Sequence, residues 1–184
     1  MKAKPNTDNL DIVYDIVKVT AEPKRHIFAV TVDNEFGVLA RVVGLFSGRG
    51  YNIESLTVAE VDHVKKLSRI TIVTTGNDHT IEQIKKLLER MVPVYTVDDL
   101  TVQGQHVERE LGLIKIQCNI EQRKEALHIA DIFRATVVDT TPDSLIFELT
   151  SGSDKIDAFI DLLRPLGLTE ICRTGVAAMA SGKV

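Results

Sequence analysis

NEFGVLARVVGLFSGRGYNIESLTV, residues 34–58, passes from a polar turn into an apolar-faced helix and out again into a strand. Val38, Leu39, Val42, Val43 and Phe46 recur at helical spacing on one stripe, with Arg41 and Arg49 turned away and Gly48-Arg49-Gly50 ending the helix. Asn52 to Val61 then reads as a strand. Upstream, Phe28, Val30 and Val32 alternate with Ile27, Ala29 and Thr31, a period-two run apolar on both faces and hence a strand covered on both sides. Strand, helix, strand is the unit from which the remaining chain can be read.

Asp62 to Lys66 is polar enough for a hairpin turn, and LSRITIVTT, residues 67–75, is rich in β-branched residues and closed by Gly76-Asn77-Asp78. Asp78 or Thr80 is the expected cap of the next helix, whose buried stripe is Ile81, Ile84, Leu87, Leu88 and Met91, with a Glu82 to Lys86 pair on its wet side. Pro93 stops it, and Val94 to Val102 is a final strand. The order is βαββαβ, that of ferredoxin-like domains. Residues 104–109 read as a linker, and the order repeats with strands at 111–119, 135–140, 144–149 and 168–178 and helices at 122–133 and 154–163. The expected class is α+β, two tandem ferredoxin-like βαββαβ domains at 25–103 and 104–184, after an N-terminal extension, 1–24, whose apolar stretch at Ile12 to Val19 can pair as an extra strand or stay unstructured.

Bulk properties exclude several functions. The 184 residues carry a net charge of −4, so no global positive field favours nucleic acid or an anionic membrane, and no apolar run approaches the ~18–20 residues of a membrane span. An RNA-recognition module shares the βαββαβ order but needs exposed aromatics on its central strands, and LSRITIV has none. Cys118 and Cys172, in alternating apolar segments without CxxC spacing, are expected as buried, reduced thiols. The expected compartment is the cytoplasm, or a plastid or other organelle stroma in a eukaryote, with no clear transit peptide. His26, His63, His79, His106 and His128 are scattered singly, so no metal site is expected, and diphosphate, P-loop and dinucleotide motifs are absent. Asp139, Asp143 and Glu148 are the nearest approach to a carboxylate cluster, explained by a turn and a solvated strand face without catalysis.

The opening stretch has a chemistry of its own. A helix's first turn leaves backbone N–H groups unpaired, and with the dipole they receive a carboxylate or phosphate. Gly37 keeps that approach uncrowded, while Asn34 and Asn52 each offer an amide able to meet a carboxylate or an ammonium. A free amino acid presents both groups. Asn34, Gly37 and Asn52 are expected to converge at one end of the crossover.

Here a resemblance becomes specific. Residues 34–58 resemble the ACT-domain signature of the small regulatory subunit of acetolactate synthase (acetohydroxyacid synthase), and LSRITIV, HVERELGLIKIQ, IFRATVVDTTPD, KIDAFIDLLRPLG and ICRTGVAAM resemble its later blocks in the same order, over about residues 26–180. The resemblance implies an N-terminal ACT domain followed by a C-terminal ferredoxin-like domain. It implies a chain that is non-catalytic alone, activates a larger catalytic subunit, and lowers that subunit's activity when valine, or leucine or isoleucine, binds between the ACT domains of a homodimer. The effector carboxylate would meet the backbone of Gly37, Val38 and Leu39, with Asn34 and Asn52 at the polar end and Ile53 as apolar contact. Thiamine diphosphate, Mg and FAD would belong to the catalytic partner, with no cofactor in this chain. The alternative is an independent ACT-type amino-acid sensor regulating another enzyme or a transcription regulator.

Overall fold

The computed structural model describes residues 22–182, so the apolar stretch at Ile12 to Val19 lies outside the described residues. The first unit comprises β1 (Lys24–Asp33), α1 (Val38–Ser47), β2 (Ser55–Asp62), β3 (Leu67–Gly76), α2 (Asp78–Glu89) and β4 (Val94–Asp99), its antiparallel sheet ordered β2-β3-β1-β4. β1 and β3 are central, which explains their two apolar faces. Phe28, Val30, Val32, Ile70 and Ile72 pack under the helices with Val42, Phe46, Ile84 and Leu88, while Ile27, Ala29 and Val73 face the other way. Each large side chain so buried contributes about 1.5–3 kcal/mol relative to exposure.

The buried stripe of α1 is narrower than its periodicity suggests. Val38, Val42 and Phe46 are buried, whereas Leu39 is 41% exposed. The cap of α2 is Asn77, not Asp78 or Thr80: Asn77 has the extended backbone an N-cap requires, and its side chain accepts from the Thr80 amide at 2.8 Å. β2 begins at Ser55, three residues later than expected, because the Asn52 carbonyl accepts the Thr74 hydroxyl at 2.6 Å instead of joining a strand ladder.

The second unit comprises β5 (His106–Gln117), α3 (Ile120–Phe133), β6 (Thr136–Thr140), β7 (Ser144–Ser151), α4 (Ser153–Leu163), a 3₁₀ turn (Arg164–Leu166) and β8 (Leu168–Arg173), with sheet order β6-β7-β5-β8. Its core gathers Ile114, Ile116, Phe147, Phe159 and Leu163. Asn119 caps α3 in a capping box with Gln122.

Three expectations are corrected here. Residues 106–109 are strand, not linker: they form the first part of β5 and pair with β9 (Ala177–Ala180). The single final strand expected at 168–178 is broken at Gly175, whose φ of +81° turns the chain from β8 into β9. Cys118 is buried as expected, but Cys172 is exposed because it pairs with Leu113, itself exposed, on the face of the sheet opposite the helix-covered core.

β9 lies across the back of the first sheet. Val176 and Ala178 complete a core with Ile27, Ala29, Val73 and Leu100, and Arg69 donates to the Ala178 carbonyl at 3.0 Å. The two units therefore share a small apolar core. Among the described residues no helix is long and apolar enough to cross a membrane.

Candidate effector site

Gly37 is the N-cap of α1, with φ +84° and no side-chain cap, and a Cβ there would meet nothing within 4 Å. The first closed helical hydrogen bond is Arg41 N to the Gly37 carbonyl at 3.0 Å, leaving the amides of Val38, Leu39 and Ala40 without intrahelical acceptors. Unlike α2 and α3, α1 has neither an asparagine cap nor an acidic residue in its first turn. No side chain of its cap or first turn offsets the partial positive charge of that N-terminus.

The turn leading into that terminus is held rather than loose. Asn34 N donates to the Lys66 carbonyl at 2.7 Å, tying the turn to the hairpin after β2. Arg41 donates to Glu35 at 2.9 Å and to the Val92 carbonyl at 3.0 Å, so this cation, expected to point into solvent, braces the turn from the helix side. Phe36, beside Gly37, is fully exposed.

Asn52 and Ile53 are elsewhere. Thr74, which holds the Asn52 carbonyl, pairs with His26 near the start of β1, whereas Asn34 follows the end of that strand and Asp33 pairs with Leu67. Roughly eight strand residues at ~3.3 Å each, about 25 Å, separate the two places. The expected convergence within one chain is thus absent. A helix that crosses back along a strand delivers its C-terminal exit to the strand's beginning, not to the end it left. The structure brings together Asn34, Gly37, Val38 and Leu39 at one end, and Asn52 and half-buried Ile53 at the other.

β2 joins these ends. It is the edge of the first sheet, starting beside Asn52 and finishing at Asp62, which pairs with Leu67 at the level of Asn34. Val58 and Val61 are exposed along it. The only trace of this edge in the sequence is the loss of alternation in Val58-Ala59-Glu60-Val61.

The family model described as "AHAS small subunit-like ACT domain" matches residues 28–96, and that described as "Small subunit of acetolactate synthase" matches residues 109–182. The chain belongs to the acetolactate synthase small-subunit family. It is 49% identical over 157 residues to the acetolactate synthase small subunit of Aquifex aeolicus, covering 85% of this chain and 81% of that one. To the isozyme 3 small subunit of Salmonella typhimurium it is 46% identical, covering 86% and 96%. The crystal structure of the small subunit from Thermotoga maritima superposes with a TM-score of 0.78 at 38% identity, covering 88% of this chain and 99% of that one.

Other features of this family member lie away from the α1 terminus. A cavity of about 600 Å³ sits between the two units and is lined by Arg25, Glu54, Glu110, Asp157, Arg173 and Val176. Its charges are largely paired: Arg173 makes a bidentate contact with Glu110, at 2.8 and 2.5 Å, and reaches Asp157 at 2.5 Å. Burial pushes the Glu110 carboxyl up, but hydrogen bonds and charge from Arg173, with Ser153 and the Gly175 amide, hold it below its ordinary value. Arg173 is raised by Glu110 and Asp157 against the cost of burial. Asp139 and Asp143 are exposed and Glu148 is half-buried on β7. Among the described residues no cluster of three or more His, Cys, Asp or Glu has metal-holding geometry.

Proposed function

We propose that this chain is the regulatory subunit of acetolactate synthase, activating the catalytic subunit and lowering its activity when a branched-chain amino acid, valine in the first instance, binds between two copies. The observation that carries this reading is the placement of Gly37 and Asn52 at opposite ends of the edge strand β2. Antiparallel pairing of β2 with a second copy about a two-fold axis brings the start of one β2 to the end of the other. Asn52 and Ile53 of each copy then approach Asn34 and Gly37 of its mate, and the dimer has two identical sites. The carboxylate meets the open amides of α1, the asparagine amides take the polar end, and Ile53 supplies apolar contact. Pairing also covers the exposed β2 edge, which an isolated chain would leave as a template for aggregation.

In this reading the chain is non-catalytic, and thiamine diphosphate, Mg and FAD belong to the catalytic chain. Control requires only that the effector favour one arrangement of the complex, and a coupling of about 1–3 kcal/mol suffices. The test is titration calorimetry with valine, leucine and isoleucine, with light scattering in the same buffer. Saturation near one ligand per protomer of a dimer is expected; a folded dimer that binds none of the three, alone or with its catalytic chain, rejects the reading.

A further inference from the structure

The bend between β8 and β9 lies directly on β2. A Cβ at Gly175 would stand 2.8 Å from Ser55 Oγ and 3.0 Å from Thr57 Oγ1, so at φ +81° only glycine allows this approach. The next residue uses both backbone polar groups on the same strand: Val176 N donates to Ser55 Oγ at 2.8 Å, and its carbonyl accepts from the Thr57 hydroxyl at 2.9 Å. Its side chain, 3% exposed, is buried against Ile27, Ala29 and Val73.

The preceding residues are anchored to the second unit instead. Arg173 is clamped by Glu110 and Asp157, and Thr174 N donates to the Leu111 carbonyl at 3.0 Å while its hydroxyl accepts from Leu111 N at 3.1 Å. A rigid support in one unit therefore presents Val176 to the edge strand of the other. The residues it grips are close to the effector end: Ser55 follows Ile53 by two positions and Asn52 by three. Segment 52–55 is held on one side by β3, through Thr74 to the Asn52 carbonyl and Glu54 N to the Val73 carbonyl at 2.8 Å, and on the other by Val176.

We propose that the Thr174–Val176 bend is a coupling latch, seated on β2 when an effector orders Asn52 and Ile53 and transmitting that occupancy to the C-terminal unit. This rests on the effector reading above. The interunit cavity beside the bend, bordered by Glu54, Ser55, Arg173 and Gly175, leaves it space for a lifted arrangement. Linkage is reciprocal: if the effector seats the latch, loosening the latch weakens the effector.

The experiment is hydrogen exchange of the full chain with and without saturating valine, alongside calorimetry, for wild type and Ser55→Ala/Thr57→Val. Valine is expected to slow exchange across residues 174–180 in the wild type. In the double variant that slowing is lost and the valine Kd rises about five-fold or more, at the low end of measured couplings. Ser55→Ala alone, removing one acceptor and little bulk, shows the same direction should the double variant not fold. Wild-type binding with no change across 174–180, or a folded variant with the wild-type Kd, overturns the latch and leaves the effector reading standing. Failure of the wild type to bind any of the three amino acids overturns both.

Discussion

Gly37 and Asn52 stand at opposite ends of α1, the first capping its start and the second held by Thr74 five residues beyond its last. No single chain joins them, so a site using both draws them from two copies. That requirement separates the present reading from a pocket enclosed within one ACT domain.

Mixed dimers test it directly. Gly37→Asp places a carboxylate where the effector's would lie, and Asn52→Ala removes an amide partner of a charged group, worth about 1.5–3 kcal/mol. Each homodimer should lose valine binding or be strongly weakened. Mixing the two chains equally and allowing exchange should restore about a quarter of the sites, since each heterodimer has one site with both residues intact and one with neither. Calorimetry that recovers no sites would place Gly37 and Asn52 in the same half-site.

Gly37 also answers a backbone question. Its φ of +84° with open space around it means that alanine there meets strain, not collision. Gly37→Ala is expected to cost about 1–2 kcal/mol in urea unfolding. Gly37→Asp should cost no more, because aspartate tolerates this conformation better, yet it alone should abolish valine inhibition of the holoenzyme. Equal inhibition by valine in both variants would contradict an anion site at this helix start.

His26 and Asp99 form a buried pair, Nδ1 to Oδ2 at 2.8 Å with each side chain 7% exposed, and Asp99 also accepts the Thr101 amide at 3.0 Å. His26→Ala removes one of the hydrogen-bond partners of the buried Asp99 side chain and should cost about 1–3 kcal/mol by chemical denaturation. His26→Leu with Asp99→Leu should cost much less than the sum of the single substitutions. Additive losses would show the two side chains to be energetically independent.

Glu110 makes stability depend on acid. A carboxyl held below its ordinary value in the folded chain contributes stability that is present above the unfolded value and lost as pH falls through the folded one. The advantage of wild type over Glu110→Gln in urea midpoint should therefore be full at about pH 7 and shrink as the buffer is taken below about pH 4. A constant difference across that range would assign the effect of the substitution to packing.

Much of the fold was legible because each layer writes a period into the chain. Ile27 to Val32 announces a central strand, and Ile81, Ile84 and Leu88 announce a helix with one buried face. The family was legible too, since its signature blocks occur in order. The exceptions are local: Leu39 satisfies the helical stripe but remains exposed, and Cys172 alternates like a core residue yet lies on the uncovered face of its sheet beside exposed Leu113. Periodicity reports which way a side chain points, not whether another element covers it.

The chain's periodicity and turn residues by themselves determined two βαββαβ units, a glycine at the open start of α1, and asparagines before and after that helix. Only tertiary structure decided that those asparagines lie at opposite ends of β1, that residues 106–109 and 177–180 pair, and that Gly175 folds the C-terminal unit onto β2. The reason is physical: propensity and periodicity act over a few residues, whereas register, edge position and contact between distant segments follow from which surfaces remain to be buried once the elements have formed.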